Sequence, residues 1–318
     1  MFYKDKNVLV VGGAGFSGVN LINKLLDMGA NVSATLHKKP AVVNDHRITY
    51  HKGDLTNQNF CEEICKCQDY IFMCAANTSG AAVMEETPLA HVTPNVIMNS
   101  LMLESAHKAG VKKFLFMSST TVYPDLDKCL NEDDVNDEFF EKYYCVGWMK
   151  RFSEVMCEMY STKIKEPMIT IVIRPGNLYG EYDDYEWGTS HSTAALIRKI
   201  VERHNPIIVW GDGSDLKSLI YISDLVDGMV LAMEKLNEFT IVNISSGQSY
   251  SIKETLDTIL EIEGYENADV YYDLTKPSMI KKRNIDISKS KELLGFNPKI
   301  SLKDGLSRTI EWYKKNNS

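Results

Sequence analysis

No run of about 18 apolar residues occurs in this chain, so no segment can cross a bilayer as a helix. There is no excess of basic charge either. The net charge of −8 removes the broad positive surface that nucleic-acid binding needs and leaves room only for a local basic pocket. Internal repeats and low-complexity tracts are absent. The segment Met1-Phe2-Tyr3-Lys4-Asp5-Lys6 runs straight into an apolar strand, so no signal peptide is expected. The seven cysteines are an odd number without a secretion signal, which points to reduced thiols in the cytoplasm rather than a disulfide framework. Cys61, Cys65 and Cys67 cluster, yet no second cysteine or histidine pair at zinc spacing accompanies them, so no metal is expected. What remains is ordinary for a globular protein: 318 residues, 44% apolar and 25% charged, enough for one large α/β core or two domains.

The most informative stretch is Val8-Leu9-Val10-Val11-Gly12-Gly13-Ala14-Gly15-Phe16-Ser17-Gly18. Four apolar residues in a row, three of them β-branched, predict a strand buried on both faces. The helical pattern from Val19 to Leu26 follows. Between them, Gly12 allows the tight turn, Gly15 lets backbone amides approach a pyrophosphate, and Gly18 lets the helix pack closely. Phe16 and Ser17 complete a helix N-terminus whose free N–H groups suit phosphate. The strand before and the helix after are the context in which such a triplet signals a dinucleotide.

Strands and helices then alternate, as in a parallel, doubly wound sheet. Strands are predicted over Ala30–Leu36, Ile48–Lys52, Tyr70–Cys74, Lys113–Met117 and Ile169–Ile173, with helices over Pro94–Ala109 and Tyr144–Ser161. Past Gly180 the rhythm loosens: helices over Ser192–Arg203, Leu225–Leu236, Ile252–Glu263 and Leu302–Lys314, and strands over Ile207–Trp210 and Thr240–Ile244. The expected division is a Rossmann-type dinucleotide-binding domain, 1–180, and a smaller α/β substrate lobe, 181–318, with some chain crossing between them. A ligand would lie in the cleft at the strand ends.

The glycine stretch, Gly53-Asp54-Leu55, Ala75-Ala76, Ser118-Ser119-Thr120-Thr121-Val122-Tyr123, Arg174-Pro175-Gly176-Asn177-Leu178-Tyr179-Gly180 and Tyr221-Ile222-Ser223-Asp224 occur in one order along the chain. Together they resemble the extended short-chain dehydrogenases/reductases of the NAD(P)-dependent nucleotide-sugar epimerase/dehydratase family. Ser190-His191, Ala195-Leu196-Ile197-Arg198-Lys199, Val209-Trp210-Gly211 and Lys276-Pro277 resemble its GDP-L-fucose synthase-like branch most. The resemblance implies a nucleotide-diphosphate sugar as substrate and a homodimer formed through the helices around 94–109 and 144–161. It places Asp54 and Leu55 beside the adenine and Ala75 and Ala76 along the dinucleotide, with Ser79 and Gly80 bordering the sugar. The second strand ends Thr35-Leu36-His37-Lys38-Lys39, without the acid that holds a ribose 2′-hydroxyl. NADP is therefore the expected cofactor, with His37, Lys38 or Lys39 near its 2′-phosphate and NAD as the alternative.

The catalytic pattern departs from the family. Its members carry a Ser or Thr after the fifth strand and a Tyr four residues before a Lys. Ser119 and Lys150 match, but the position four before Lys150 is Val146, which cannot carry a proton. Tyr143 lies nearly on the same helix face, although helical side chains lean toward the N-terminus and away from Lys150. Tyr144 falls roughly on the opposite side. The other routes are Ser119, Thr121, a water or Lys150, or no ketoreduction at all. Thr121 stands where the fucose synthase pattern has a cysteine, so that type of epimerisation is not expected, although His191 keeps the histidine and could act catalytically alone. Thr120-Thr121 replace the Asp-Glu of dehydratases, so 4,6-dehydration is not expected. Asn177, His191, Arg198, Lys199, Lys217 and Arg283, within Lys281-Lys282-Arg283, are the candidate substrate ligands. The function expected is an NADP-dependent reductase or epimerase of a keto or 4-hydroxy sugar nucleotide. The alternative is a dinucleotide-binding protein with lost or non-redox chemistry and a regulatory or binding role.

Overall fold

A computed structural model describes residues 2–77, 87, 89–276 and 280–317. Seven parallel strands make the central sheet: β1 (Asn7–Val11), β2 (Asn31–Leu36), β3 (Ile48–Lys52), β4 (Tyr70–Met73), β5 (Lys113–Met117), β6 (Ile169–Pro175) and β7 (Thr240–Ile244). Their order is β7-β6-β5-β4-β1-β2-β3. The direction of winding reverses between β1 and β4, and a crevice opens there at the C-terminal strand ends.

The described helices are α1 (Phe16–Asp27), α2 (Gln58–Cys65), α3 (Leu89–Lys108), α4 (Tyr144–Thr162), α5 (Ser192–Val201), α6 (Ile222–Lys235), α7 (Ile252–Glu263), α8 (Ser288–Leu294) and α9 (Leu302–Asn317). Alternation along the strands feeds both faces of the sheet. Val8, Val10 and Phe72 pack with Leu21, Leu25 and Met229 of α1 and α6. Leu9, Val11, Ile71 and Phe116 pack with Ile64, Met102 and Cys157 of α2, α3 and α4. Burying each such side chain contributes about 1.5–3 kcal/mol. The result explains why the strands read as unbroken apolar runs.

Residues 222–244 cross back from the C-terminal part. They supply α6, which pairs with α1 through Lys24 and Asp227 at 2.6 Å, and the edge strand β7. The C-terminal lobe is built from α5, α7 and α9 with a parallel ribbon of Ile207–Trp210 and Val270–Asp273.

Helix α8 and the strand Val270–Asp273 were not expected, and two further elements differ in an instructive way. Helix α2 was not anticipated: its Gln58-Asn59-Phe60-Cys61-Glu62-Glu63-Ile64-Cys65 is short, and the cysteines are simply its buried face. Asn57 caps it, accepting the Phe60 N–H at 3.2 Å. Helix α3 starts at Leu89 and carries Pro94 inside it, although proline forfeits one hydrogen bond there. Asn95 offsets that loss by clasping the chain beyond β4, accepting the Asn77 N–H at 2.8 Å and donating to its carbonyl at 2.9 Å.

Candidate active site

The crevice begins at the glycine turn. Gly12 has φ +95°, which L side chains rarely adopt, and a Cβ there would lie 2.8 Å from Ala75 Cα. A Cβ on Gly18 would overlap the Gly12 carbonyl, so helix and turn touch directly. Gly15 is exposed at the α1 N-cap, no side chain caps the first turn, and that turn carries no acid. Phe16 is half-buried and Ser17 buried. The N-terminus is thus shaped for an anion. Two partners had escaped the sequence pattern. Thr35 Oγ1 accepts the Gly12 N–H at 2.8 Å, and a Cβ on Gly13 would press to 2.7 Å from Ala34. Only strand pairing brings β2 to the turn, so no local signal marks either.

His37, Lys38 and Lys39 are exposed just past β2. Asp54 stands across from them, its carboxyl held below its ordinary value first by the Thr56 N–H and hydroxyl, then by His37 and Lys38. Leu55 is buried, and Ala75 and Ala76 are half-buried at the end of β4. Ser79 and Gly80 lie outside the described residues.

At the end of β5, Ser119 caps a 3-10 turn over Thr120–Val122 and accepts the Thr121 N–H at 3.1 Å. Thr121 Oγ1 is buried and bonds no described residue. Lys150, 7% exposed, donates to the Met117 carbonyl at 2.9 Å and lies 5.0 Å above the Phe116 ring. Burial pulls its pKa down to about 8, against the opposing pull of Glu154 and Cys74. The two tyrosines weighed as substitutes for Val146 stand elsewhere. Tyr144 is exposed and set edge-on to Phe139, with ring centroids 6.3 Å apart. Tyr143 is half-buried with Arg283 and Asp215 as its charged neighbours, and burial pushes its phenol up. Neither tyrosine is among the groups that act on the charge of Lys150.

Beneath this loop lies a network that sequence reasoning missed. Glu154, fully buried, accepts Ser118 Oγ at 2.6 Å, Arg174 Nε at 2.9 Å and Arg174 Nη2 at 2.8 Å. Arg174 Nη1 reaches Tyr123 Oη at 3.1 Å, and Tyr123 donates to Asn243 Oδ1 at 2.6 Å. The loop carrying Ser119 and Thr121 is therefore tied at both ends to α4, β6 and β7. A buried acid on a helix gives no sequence signal without its partner.

The cations proposed for substrate separate into two groups. Arg283, 4% exposed, donates to the Pro124 carbonyl at 2.9 Å and the Tyr123 carbonyl at 3.5 Å. Lys217 donates to the Ile280 carbonyl at 2.9 Å and pairs with Asp215 at 3.4 Å. Burial lowers the pKa of both, and their mutual repulsion lowers that of Lys217 further. Asn177 is exposed beside them, its N–H bonded to the Ser218 carbonyl at 2.7 Å. Arg198 and Lys199 turn instead into the C-terminal lobe. Arg198 pairs with Glu202 at 2.9 Å and lies 4.2 Å from the Trp187 ring, and Lys199 caps the Ile208 carbonyl at 2.7 Å. Their helical register faces them onto that lobe's own packing. His191 is exposed at the α5 N-cap, 3.7 Å from the Asp183 carboxylate, whose proximity raises its pKa.

Residues 8–245 match the model of the NAD dependent epimerase/dehydratase family. The chain is 30% identical to a putative GDP-L-fucose synthase 2 of Arabidopsis thaliana, covering 99% of this chain and 94% of the relative. It is 28% identical to GDP-mannose 3,5-epimerase 1 of Oryza sativa subsp. indica, covering 97% and 82%. Among solved structures, UDP-glucose 4-epimerase of Thermotoga maritima with UDP-glucose superposes with TM-score 0.88 at 27% identity, covering 98% of this chain and 100% of that one.

Proposed function

The chain belongs to the NAD-dependent epimerase/dehydratase family, and from that premise we propose that it is an NADP-dependent reductase or epimerase of a nucleotide-diphosphate sugar. The nicotinamide supplies or accepts hydride at a keto or hydroxyl carbon of the sugar. Gly12, Gly15, Gly18 and the α1 N-terminus hold the pyrophosphate of the cofactor, and Lys150 faces its nicotinamide end. NADP is favoured over NAD by His37, Lys38 and Lys39 and by the absence of an acid at the end of β2, with Asp54 as the opposing charge.

The observation that carries the substrate class is Arg283. Its guanidinium is buried against the carbonyls of the segment that follows Ser119 and Thr121, and among the described residues it forms no ion pair. A buried, unpaired cation is costly, and an anion at that place offsets the cost. A substrate diphosphate there would lie among Lys217, Asn177 and Tyr143, with the attached sugar toward the Ser119 turn.

A homodimer through α3 and α4 is part of the same proposal. Trp148, Phe152 and Met159 of α4 and Ile97 of α3 are exposed, a stripe that a second copy would cover. The seven free thiols agree with a cytoplasmic location. The second reading, a dinucleotide-binding protein without redox chemistry, is favoured by Val146 alone.

Calorimetry with NADP, NAD and GDP-, UDP-, CDP- and dTDP-sugars, together with nicotinamide absorbance, tests the proposal. NADP binding and turnover of one sugar nucleotide are expected, with Arg283→Gln weakening that sugar nucleotide about 10–100-fold while NADP affinity holds. Tight NADP binding without turnover of any sugar nucleotide would leave the second reading.

A further inference from the structure

The family's proton-transferring phenol is missing at Val146, and neither nearby tyrosine takes its place. Tyr143 belongs with Arg283 and Asp215, and Tyr144 is exposed against Phe139. Among the described residues, the charged and titratable groups that act on Lys150 are Glu154, one turn further along α4, and Cys74, at the end of β4. Glu154 is not available for proton transfer, because the Ser118 hydroxyl and two nitrogens of Arg174 occupy both of its oxygens. Cys74 is a thiol that burial pushes up to about 12, so its thiolate is scarce near neutral pH. Lys150 is different. It has three donors, and among the described residues it bonds only the Met117 carbonyl. The Thr121 hydroxyl is buried without a partner among the described residues. The Thr121 carbonyl lies 2.9 Å from where a Cβ on Gly147 would sit, which sets Thr121 against the helix next to Val146.

Resting on the function proposed above, we infer that Lys150 is itself the proton donor and acceptor of this site, with the Thr121 hydroxyl bonding the same sugar oxygen. In the reducing direction Lys150 Nζ gives a proton to the carbonyl oxygen. Hydride from the dihydronicotinamide forms the new C–H bond, and the π pair of the C=O bond moves onto that oxygen. The neutral amine regains its proton from water, so one ketone, one dihydronicotinamide and one proton yield one alcohol and one oxidised nicotinamide. In the oxidising direction the neutral amine takes the hydroxyl proton. A lysine drawn down to about 8 populates both forms near neutral pH, which a proton-transferring group requires.

Two measurements test the inference. The first is a pH titration of the Lys150 side chain by NMR of protein labelled at lysine 13Cε, with NADP bound and no sugar, the resonance being assigned by its loss in Lys150→Met. A midpoint near 8 is expected, and one at the ordinary 10.5 overturns the inference whether or not a substrate has been found. The second compares Lys150→Arg with Lys150→Met in turnover. Arginine keeps the charge but does not release a proton. Both variants should lose about 10²–10⁴ in kcat with KM and NADP affinity little changed, since that is the range of general acid–base catalysis. Activity retained in Lys150→Arg means that the residue acts through charge alone and overturns the inference. Val146→Tyr placed in the Lys150→Arg background should restore at least part of the loss by returning a phenol. A failure of every sugar nucleotide to turn over would count against the proposed function, while the titration would still decide the state of Lys150.

Discussion

Replacing Glu154 by glutamine probes the buried network that holds the loop from Ser118 to Tyr123. The carboxylate is fully buried and receives three donors, and its main partner Arg174 is 1% exposed. Glutamine keeps the volume but brings an NH2 group against the Arg174 Nη2 donor, and it removes the charge that balances the guanidinium. Arg174 is then left with Tyr123 Oη and the Glu132 carbonyl. Breaking a buried pair from one side costs about 3–5 kcal/mol. An unfolding entropy of about 2.1 cal/mol/K per residue gives roughly 0.7 kcal/mol per degree for a chain of 318 residues, so Tm should fall by about 4–7 °C. Urea unfolding followed by tryptophan fluorescence, with calorimetry for Tm, measures the loss. The double variant Glu154→Met with Arg174→Met removes both charges and should recover most of the stability, since no uncompensated ion remains. Activity should not return with it, because Ser118 loses its acceptor and Tyr123 keeps only Asn243. A Glu154→Gln loss below about 1 kcal/mol, or a double variant no better than the single, would refute the view that the network holds this loop.

Further outcomes follow from the same geometry. Gly18→Ala forces a methyl group into the Gly12 carbonyl and should cost about 1–3 kcal/mol and weaken NADP at least tenfold, read by thermal unfolding and fluorescence titration. Lys150→Met should be more stable than the parent below pH 8 by about 3 kcal/mol. The sign follows from a folded pKa near 8 below the unfolded 10.5: burying the ammonium costs stability at low pH, and the cost fades as pH rises from 8 to 10.5. Urea unfolding of both proteins across that range should show the two curves converge, and parallel curves would rule it out. Trp148→Glu with Phe152→Glu should turn a dimer into a monomer by light scattering, because two charges would enter the apolar stripe.

Much of the architecture can be read without coordinates. Val8 to Val11 and Tyr70 to Met73 are apolar at consecutive positions because helices cover both faces of the sheet, and such runs are local properties. Gly12 and Gly18 are legible for the same reason, since the turn that needs them is only seven residues long. Helix α2 was harder, because it is only eight residues long and its two glutamates and two cysteines look like a ligand cluster. Pro94 suggested a helix start that Asn95 and Asn77 override by bonding across 18 residues.

The sequence by itself determined the strand–glycine turn–helix unit around Gly12–Gly18, which family the chain resembles, and that a phenol is absent at Val146. Those follow from residue types at short spacing. Which of the candidate cations turn into the C-terminal lobe, where Tyr143 lies, and how Glu154 ties down the Ser118–Tyr123 loop were decided only by tertiary structure. Arg283 reaches the Tyr123 carbonyl across 160 residues, and Arg174 reaches Tyr123 across 51. Contacts at such separations depend on how the sheet and the C-terminal lobe pack, and no local pattern encodes them.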